Sequence, residues 1–68
     1  MPLIKVDLFD FRVNDETSAK LIASMTDALC AATTEELREH TWVIVEGHSP
    51  KNWGIGGAPM PAELTPPA

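Results

Sequence analysis

From Leu3 to Phe9 the chain reads L-I-K-V-D-L-F, with Ile4, Val6 and Leu8 alternating with the charged Lys5 and Asp7. That two-residue period predicts a β-strand. Ile4, Val6 and Leu8 would face a helix, leaving Leu3 and Phe9 on the opposite face with the two charges. Asp10 to Val13 is a connection. Either Asn14 or Asp15 can cap a following helix, and Asp15 and Glu16 suit its first turn, where the helix dipole favours acids. Ile22, Met25, Leu29 and Ala32 then recur at helical spacing, with Ala19 and Leu21 nearby. They predict an amphipathic helix of about five turns ending near Ala32. Cys30 lies inside it as a small core residue.

Thr33-Thr34-Glu35-Glu36 contains a T-x-x-E capping box, which predicts a short second helical turn to about Glu39. Thr41 to Glu46 is β-branched and aromatic, hence a second strand. Gly47 to Asn52 is a loop. Trp53-Gly54-Ile55-Gly56-Gly57 is glycine-rich and predicts a small hairpin or an extended arm. Ala58 to Ala68 holds four of the six prolines and reads as an irregular tail. Two strands joined by so long a crossover form a parallel pair.

The expected fold is therefore a small α/β (α+β) unit: β-α-β, a short helical turn and a C-terminal hairpin. Residues 1–58 form the domain and 59–68 the tail. Two strands under one helix make a marginal sheet. Pairing with a second copy would give a four-stranded sheet with two helices per dimer.

Composition strengthens the expectation of an oligomer. The chain has 68 residues, of which 44% are hydrophobic, and one cysteine. So short a chain buries only about 60% of the surface its unfolded form exposes. It has neither a disulfide framework nor a Cys/His cluster to compensate. The net charge of −5, with five scattered Lys and Arg, argues against nucleic-acid binding. No apolar run approaches the ~20 residues of a membrane span. With no export signal and a lone cysteine, the expected location is cytoplasmic. His40 and His48 are separated in sequence and lack cysteine partners, so no metal site is expected. The acidic residues read mostly as solvated surface.

Pro2 carries the candidate chemistry. Removal of Met1 would leave it as a free secondary amine on a rigid ring, fixed by the strand behind it. An α-amino group titrates near about 8. Burial in an apolar pocket and a nearby arginine both push such an amine down toward the operating pH of a general base. Trp42 and Trp53 can supply apolar walls. Arg12 can supply the positive charge and a bidentate grip on a substrate carboxylate.

Four features sit together at a characteristic spacing: Met1-Pro2 opening the first strand, Arg12 just after it, the β-α-β order, and Pro50-Lys51-Asn52-Trp53-Gly54-Ile55-Gly56-Gly57. In these the chain resembles the 4-oxalocrotonate tautomerase family over about Pro2 to Gly57. The resemblance implies an isomerase that needs no cofactor, with the amino-terminal proline as general base or acid. It also implies a homo-oligomer: a hexamer built as a trimer of dimers, with a dimer as the smaller alternative. Arg12 and Trp53 become substrate-binding residues, and Phe9 a further candidate.

One departure bears on substrate. Where the best-known members place an arginine at the start of the second strand, this chain has Trp42. An indole offers one N–H and a large apolar face, not a bidentate ion pair. The expected substrate therefore has one carboxylate and a more apolar end, such as a 2-hydroxy-alkenoate or an aryl-pyruvate enol. Arg38, four residues earlier, is a second candidate for the missing arginine. Two alternatives stand beside this one. The first is a hydratase or dehalogenase of unsaturated acids, for which Glu46 is a candidate acid. The second is an inactive oligomeric family member.

Overall fold

Alternation along Leu3–Phe9 produces strand β1. Ile4, Val6 and Leu8 are half-buried, whereas Leu3, Lys5 and Asp7 are exposed. The computed structural model describes residues 1–61. Asp10–Arg12 forms a 3-10 turn closed by Val13 N–H donating to Asp10 O. Helix α1 follows over Asp15–Ala32. Of the two candidate caps, Asn14 takes the role: its side chain accepts from Thr17 N at 2.8 Å. Such a cap contributes about 1 kcal/mol.

The inward stripe of α1 runs through Thr17, Leu21, Met25, Leu29 and Cys30. The spacing expectation ran it through Ile22, Met25, Leu29 and Ala32; Met25 and Leu29 do face inward, but Ile22 is 43% exposed and Ala32 is exposed as well. The stripe is turned because the sheet beneath is only two strands wide and α1 lies chiefly over the second. Cys30 is its most enclosed residue, at 6% exposure.

The threonines at the end of α1 divide their roles differently from a capping box. Thr33 Oγ1 turns back and donates to Leu29 O at 2.6 Å. Thr34 instead caps the 3-10 helix Glu35–His40, accepting from Glu36 N. The Thr33 hydroxyl is turned back toward the preceding helix, and the Thr34 oxygen is the one that accepts from the next.

Strand β2 runs Trp42–His48, two residues further than expected. The extension follows from parallel pairing in register, in which Leu8 faces Gly47 and Phe9 faces His48. After it, Ser49 caps a 3-10 turn at Pro50–Asn52. Gly54–Ile55 (β3) and Ala58–Pro59 (β4) then form an antiparallel hairpin. Its two linking residues, Gly56 and Gly57, have φ of 63° and 88°. That pair of positive angles is the backbone a two-residue hairpin turn requires, and glycine supplies it without a Cβ penalty. Ala58 and Pro59, read from sequence as the start of an irregular tail, are the return strand. The rest of that tail, from residue 62, lies outside the described residues. No described helix is long and apolar enough to cross a membrane.

One face of the β1–β2 sheet holds Ile4, Val6, Leu8, Val43 and Val45, all half-buried. The other carries Leu3, Lys5, Asp7 and Phe9 beside Trp42, Ile44, Glu46 and His48. On that face Leu3 and Trp42 are each 57% exposed and Ile44 is 39% exposed.

Candidate active site

The expected site residues fall into two groups at opposite ends of the sheet. Pro2 and Trp42 stand at the start of the parallel pair. Trp42 N–H donates to Pro2 O at 2.9 Å, which is the first bond joining the two strands' ends. Pro2 is half-buried, and Trp42 is exposed on the outer face that it shares with its register partner Leu3.

Arg12, Phe9 and Trp53 gather at the far end. Phe9 packs edge-on to Trp53 with ring centroids 4.6 Å apart, and Phe9 and Phe11 stack at 6.0 Å. The Arg12 guanidinium lies 5.0 Å from the Phe11 ring centroid, a cation–π contact that holds it over the aromatic group. Arg12 is exposed and has no carboxylate partner among the described residues. Trp53 is fixed from both sides: its N–H donates to Pro50 O, and its carbonyl accepts from Met60 N at 2.8 Å. The hairpin that follows therefore anchors the Trp53 backbone.

Local sequence explains this end. Gly47 lies where the Asp10–Arg12 turn crosses β2, and a Cβ built there would stand 3.2 Å from Asp10 Cα and from Val13 Cγ2. The missing side chain lets the turn that carries Arg12 close down on the strand. The seven residues of β1 separate the two groups. At about 3.3 Å per residue that is roughly 23 Å. Within one chain Pro2 and Arg12 do not meet.

Arg38 stands at the Pro2 end, on the 3-10 helix before β2. Its guanidinium pairs with Glu35 on the same turn and with Asp27 on α1, the latter at 2.7 Å. The hydrogen bond from Arg38 holds the Glu35 carboxyl below its ordinary value of 4.5. Reaching a substrate would require Arg38 to leave both carboxylates.

A further group escaped the sequence. Asp7 and Glu46 are register partners on the outer face, and His48 Nε2 lies 2.8 Å from Asp7 Oδ1 and 3.6 Å from Glu46 Oε2. The His48 ring also meets Trp53 edge-on at 5.8 Å. Asp7 lies 41 positions from His48 in sequence, so only the parallel register brings them together.

The comparisons with known proteins agree with this architecture. The family model described as tautomerase enzyme matches residues 2–62. A presumed 4-oxalocrotonate tautomerase from methicillin-resistant Staphylococcus aureus is similar, with a TM-score of 0.73 and 28% identity over 85% of this chain and 90% of that one. TomN, a 4-oxalocrotonate tautomerase homologue in the tomaymycin biosynthetic pathway, has a TM-score of 0.72 and 30% identity over 98% of this chain and 100% of its own. No curated protein matches. The β-α-β unit, the terminal hairpin and a family match running from Pro2 to residue 62 place this chain in the tautomerase family.

Proposed function

We propose that the protein is a cofactor-independent enol–keto tautomerase of monocarboxylate enols, a 2-hydroxy-alkenoate or an aryl-pyruvate enol, with the Pro2 amine moving the proton. Met1 is removed, and the neutral amine accepts the proton of the enol hydroxyl. Electron density shifts to the neighbouring carbon, which takes the proton back from the Pro2 ammonium. One C–H bond forms, one O–H bond breaks, and the product is the keto isomer. Arg12 holds the substrate carboxylate and stabilises the enolate that develops. Trp42 and Trp53 enclose the apolar end, with Phe9 behind Trp53.

The observation that carries this proposal is the division of the site between the two ends of the sheet. Each chain presents Pro2 and Trp42 at one end and Arg12, Phe9 and Trp53 at the other. A second copy laid antiparallel along the sheet edge brings complementary halves together and makes a four-stranded sheet. The exposed Leu3, Trp42 and Ile44 offer further apolar surface for stacking such dimers into a hexamer. A cytoplasmic protein with no need of nucleic acid or membrane fits the acidic composition.

Intact mass and turnover of one preparation test the proposal together. The expected result is a mass lacking one methionine and accelerated loss of enol absorbance with an aryl-pyruvate enol. A processed protein that leaves the enol decaying at its uncatalysed rate would make an inactive oligomeric member the better description. Hydration or dehalogenation of an unsaturated acid has one observation in its favour: Asp7 and Glu46 beside His48 offer a carboxylate to activate water. Release of halide from a halogenated acrylate, against ketonisation of the enol, separates the two reactions.

A further inference from the structure

The outer face of the sheet holds two carboxylates that repel each other. Asp7 and Glu46 are direct partners in the parallel ladder and point to the same side. Like charges at paired positions destabilise a sheet. Among the described residues neither carboxylate has a Lys or Arg within ion-pair distance, and the group facing both is the His48 imidazole. One oxygen from each carboxylate and one His48 ring nitrogen lie within 4.8 Å of one another.

We propose that Asp7, Glu46 and His48 form a binding site for one divalent transition-metal ion, with zinc as the representative ion. One nitrogen and two carboxylate oxygens are a donor set suited to a borderline ion of this kind. In a tetrahedral zinc site the ligand atoms lie about 3.4 Å apart, given bonds of about 2.1 Å. The 3.6 Å separation of His48 Nε2 and Glu46 Oε2 is close to that distance. The 2.8 Å contact of His48 with Asp7 opens to it by a small rotation of an exposed carboxylate. Nε2 then gives its lone pair to the metal instead of a proton to Asp7. Water completes the coordination.

Two of the features involved come from the backbone, and a ring contact adds a third. The in-register ladder sets Asp7 against Glu46. The extension of β2 to His48 puts the imidazole two residues along on the same face. The edge-on contact with Trp53 limits the turning of the ring. The ion would join β1 to β2 and relieve the charge repulsion, which makes it a structural staple on a chain with few buried residues. It is independent of what Pro2 does.

The test is calorimetric titration of Zn²⁺ into the full chain after chelator treatment, with thermal melts alongside. The expected result is one Zn²⁺ per chain, a raised melting temperature, and binding weakened by at least about 10-fold in both Asp7→Asn and His48→Ala. Asp7→Asn keeps the side-chain shape and an oxygen facing His48, so it reads the site even if His48→Ala fails to fold. His40→Ala, which removes the other histidine, is expected to bind as the parent does. Co²⁺ provides a second readout. With Trp42→Phe leaving Trp53 as the sole indole, Co²⁺ at this site would quench its emission, and Asp7→Asn would abolish the quenching. No Zn²⁺ uptake, or uptake unchanged by Asp7→Asn and His48→Ala, would overturn the proposal and leave the His48 imidazole as a hydrogen-bond partner beside two carboxylates.

Discussion

The backbone N–H of Trp42 donates to the carbonyl of Pro2, 2.9 Å away, and the Pro2 ring takes no part in that bond. Replacing the ring therefore spares the start of the sheet. Pro2→Ala is expected to keep the circular dichroism of the parent and to lose about 100-fold or more in kcat, the scale of a missing general base. Arg12→Ala is expected to act mainly on KM. Since the two residues stand at opposite ends of β1, each variant retains the half that the other lacks. Unfolded together in equal amounts and refolded, the two should regain activity in about a quarter of the sites, the share expected if one chain supplies Pro2 and its neighbour Arg12. A mixture no more active than its components would place the whole site on one chain and contradict the shared arrangement.

Trp42 sets the substrate class in the proposed site. It is 57% exposed and sits at the end of a strand, so a charged replacement costs little in stability. Trp42→Arg places a planar cation at the Pro2 end of the sheet. It should raise kcat/KM for a dicarboxylate enol relative to an aryl-pyruvate enol by about 10-fold or more, the value of one charge-assisted hydrogen bond. Parallel assays of the two substrates read the ratio directly. An unchanged ratio would mean that Trp42 does not touch the substrate's distal end.

The parts of the fold that repeat with a simple period were legible in the sequence. Alternation fixes which face of β1 is inward, and Leu3 to Phe9 form the strand expected. The long crossover implies a parallel pair, and β1 and β2 are parallel. Competition between neighbours was not legible. The T-x-x-E motif points to Thr33 as the cap, and only the folded chain shows its hydroxyl turned back to Leu29 O while Thr34 takes the role. Likewise the sequence holds Asp7, Glu46 and His48 as three unrelated surface groups, because the register that joins them is a property of two strands. Arg38 reads as a free cation until Asp27, eleven residues earlier, is carried back to it by α1.

Gly47 is expected to be intolerant of even one methyl group. A Cβ there would press on Asp10 Cα and on the Val13 side chain, each at 3.2 Å. Val13 can turn aside, but Asp10 Cα is backbone and must carry the 3-10 turn with it. Overpacking of this kind costs about 1–3 kcal/mol. Moving the turn also moves Arg12, so Gly47→Ala should raise KM for a carboxylate substrate as well as lowering the unfolding midpoint in urea. Gly54→Ala, where the nearest atom is the Ala58 carbonyl oxygen at 3.4 Å, is the control for a glycine in ordinary contact. Equal effects from the two substitutions would show that the crossing at Gly47 is not tight.

The Arg38 cluster predicts a difference between parent and variant that depends on pH. The hydrogen bond from Arg38 holds Glu35 below its ordinary value of 4.5. A carboxyl whose pKa is lower folded than unfolded adds stability above its unfolded pKa. That contribution fades as pH falls through the folded value, where the carboxylate is protonated in both states. Arg38→Met removes the cause. It should therefore be less stable than the parent at neutral pH, where Glu35 and Asp27 both face an empty position. The gap should narrow as pH falls from the ordinary carboxylate value toward strongly acid conditions. All three groups are solvent-exposed, so the difference at neutral pH is small and is expected to shrink further in high salt. Urea melts of both proteins at neutral and acid pH, with and without salt, measure it. A gap of the same size at every pH would mean that Arg38 contributes by packing between the 3-10 turn and α1, and that its charge is incidental.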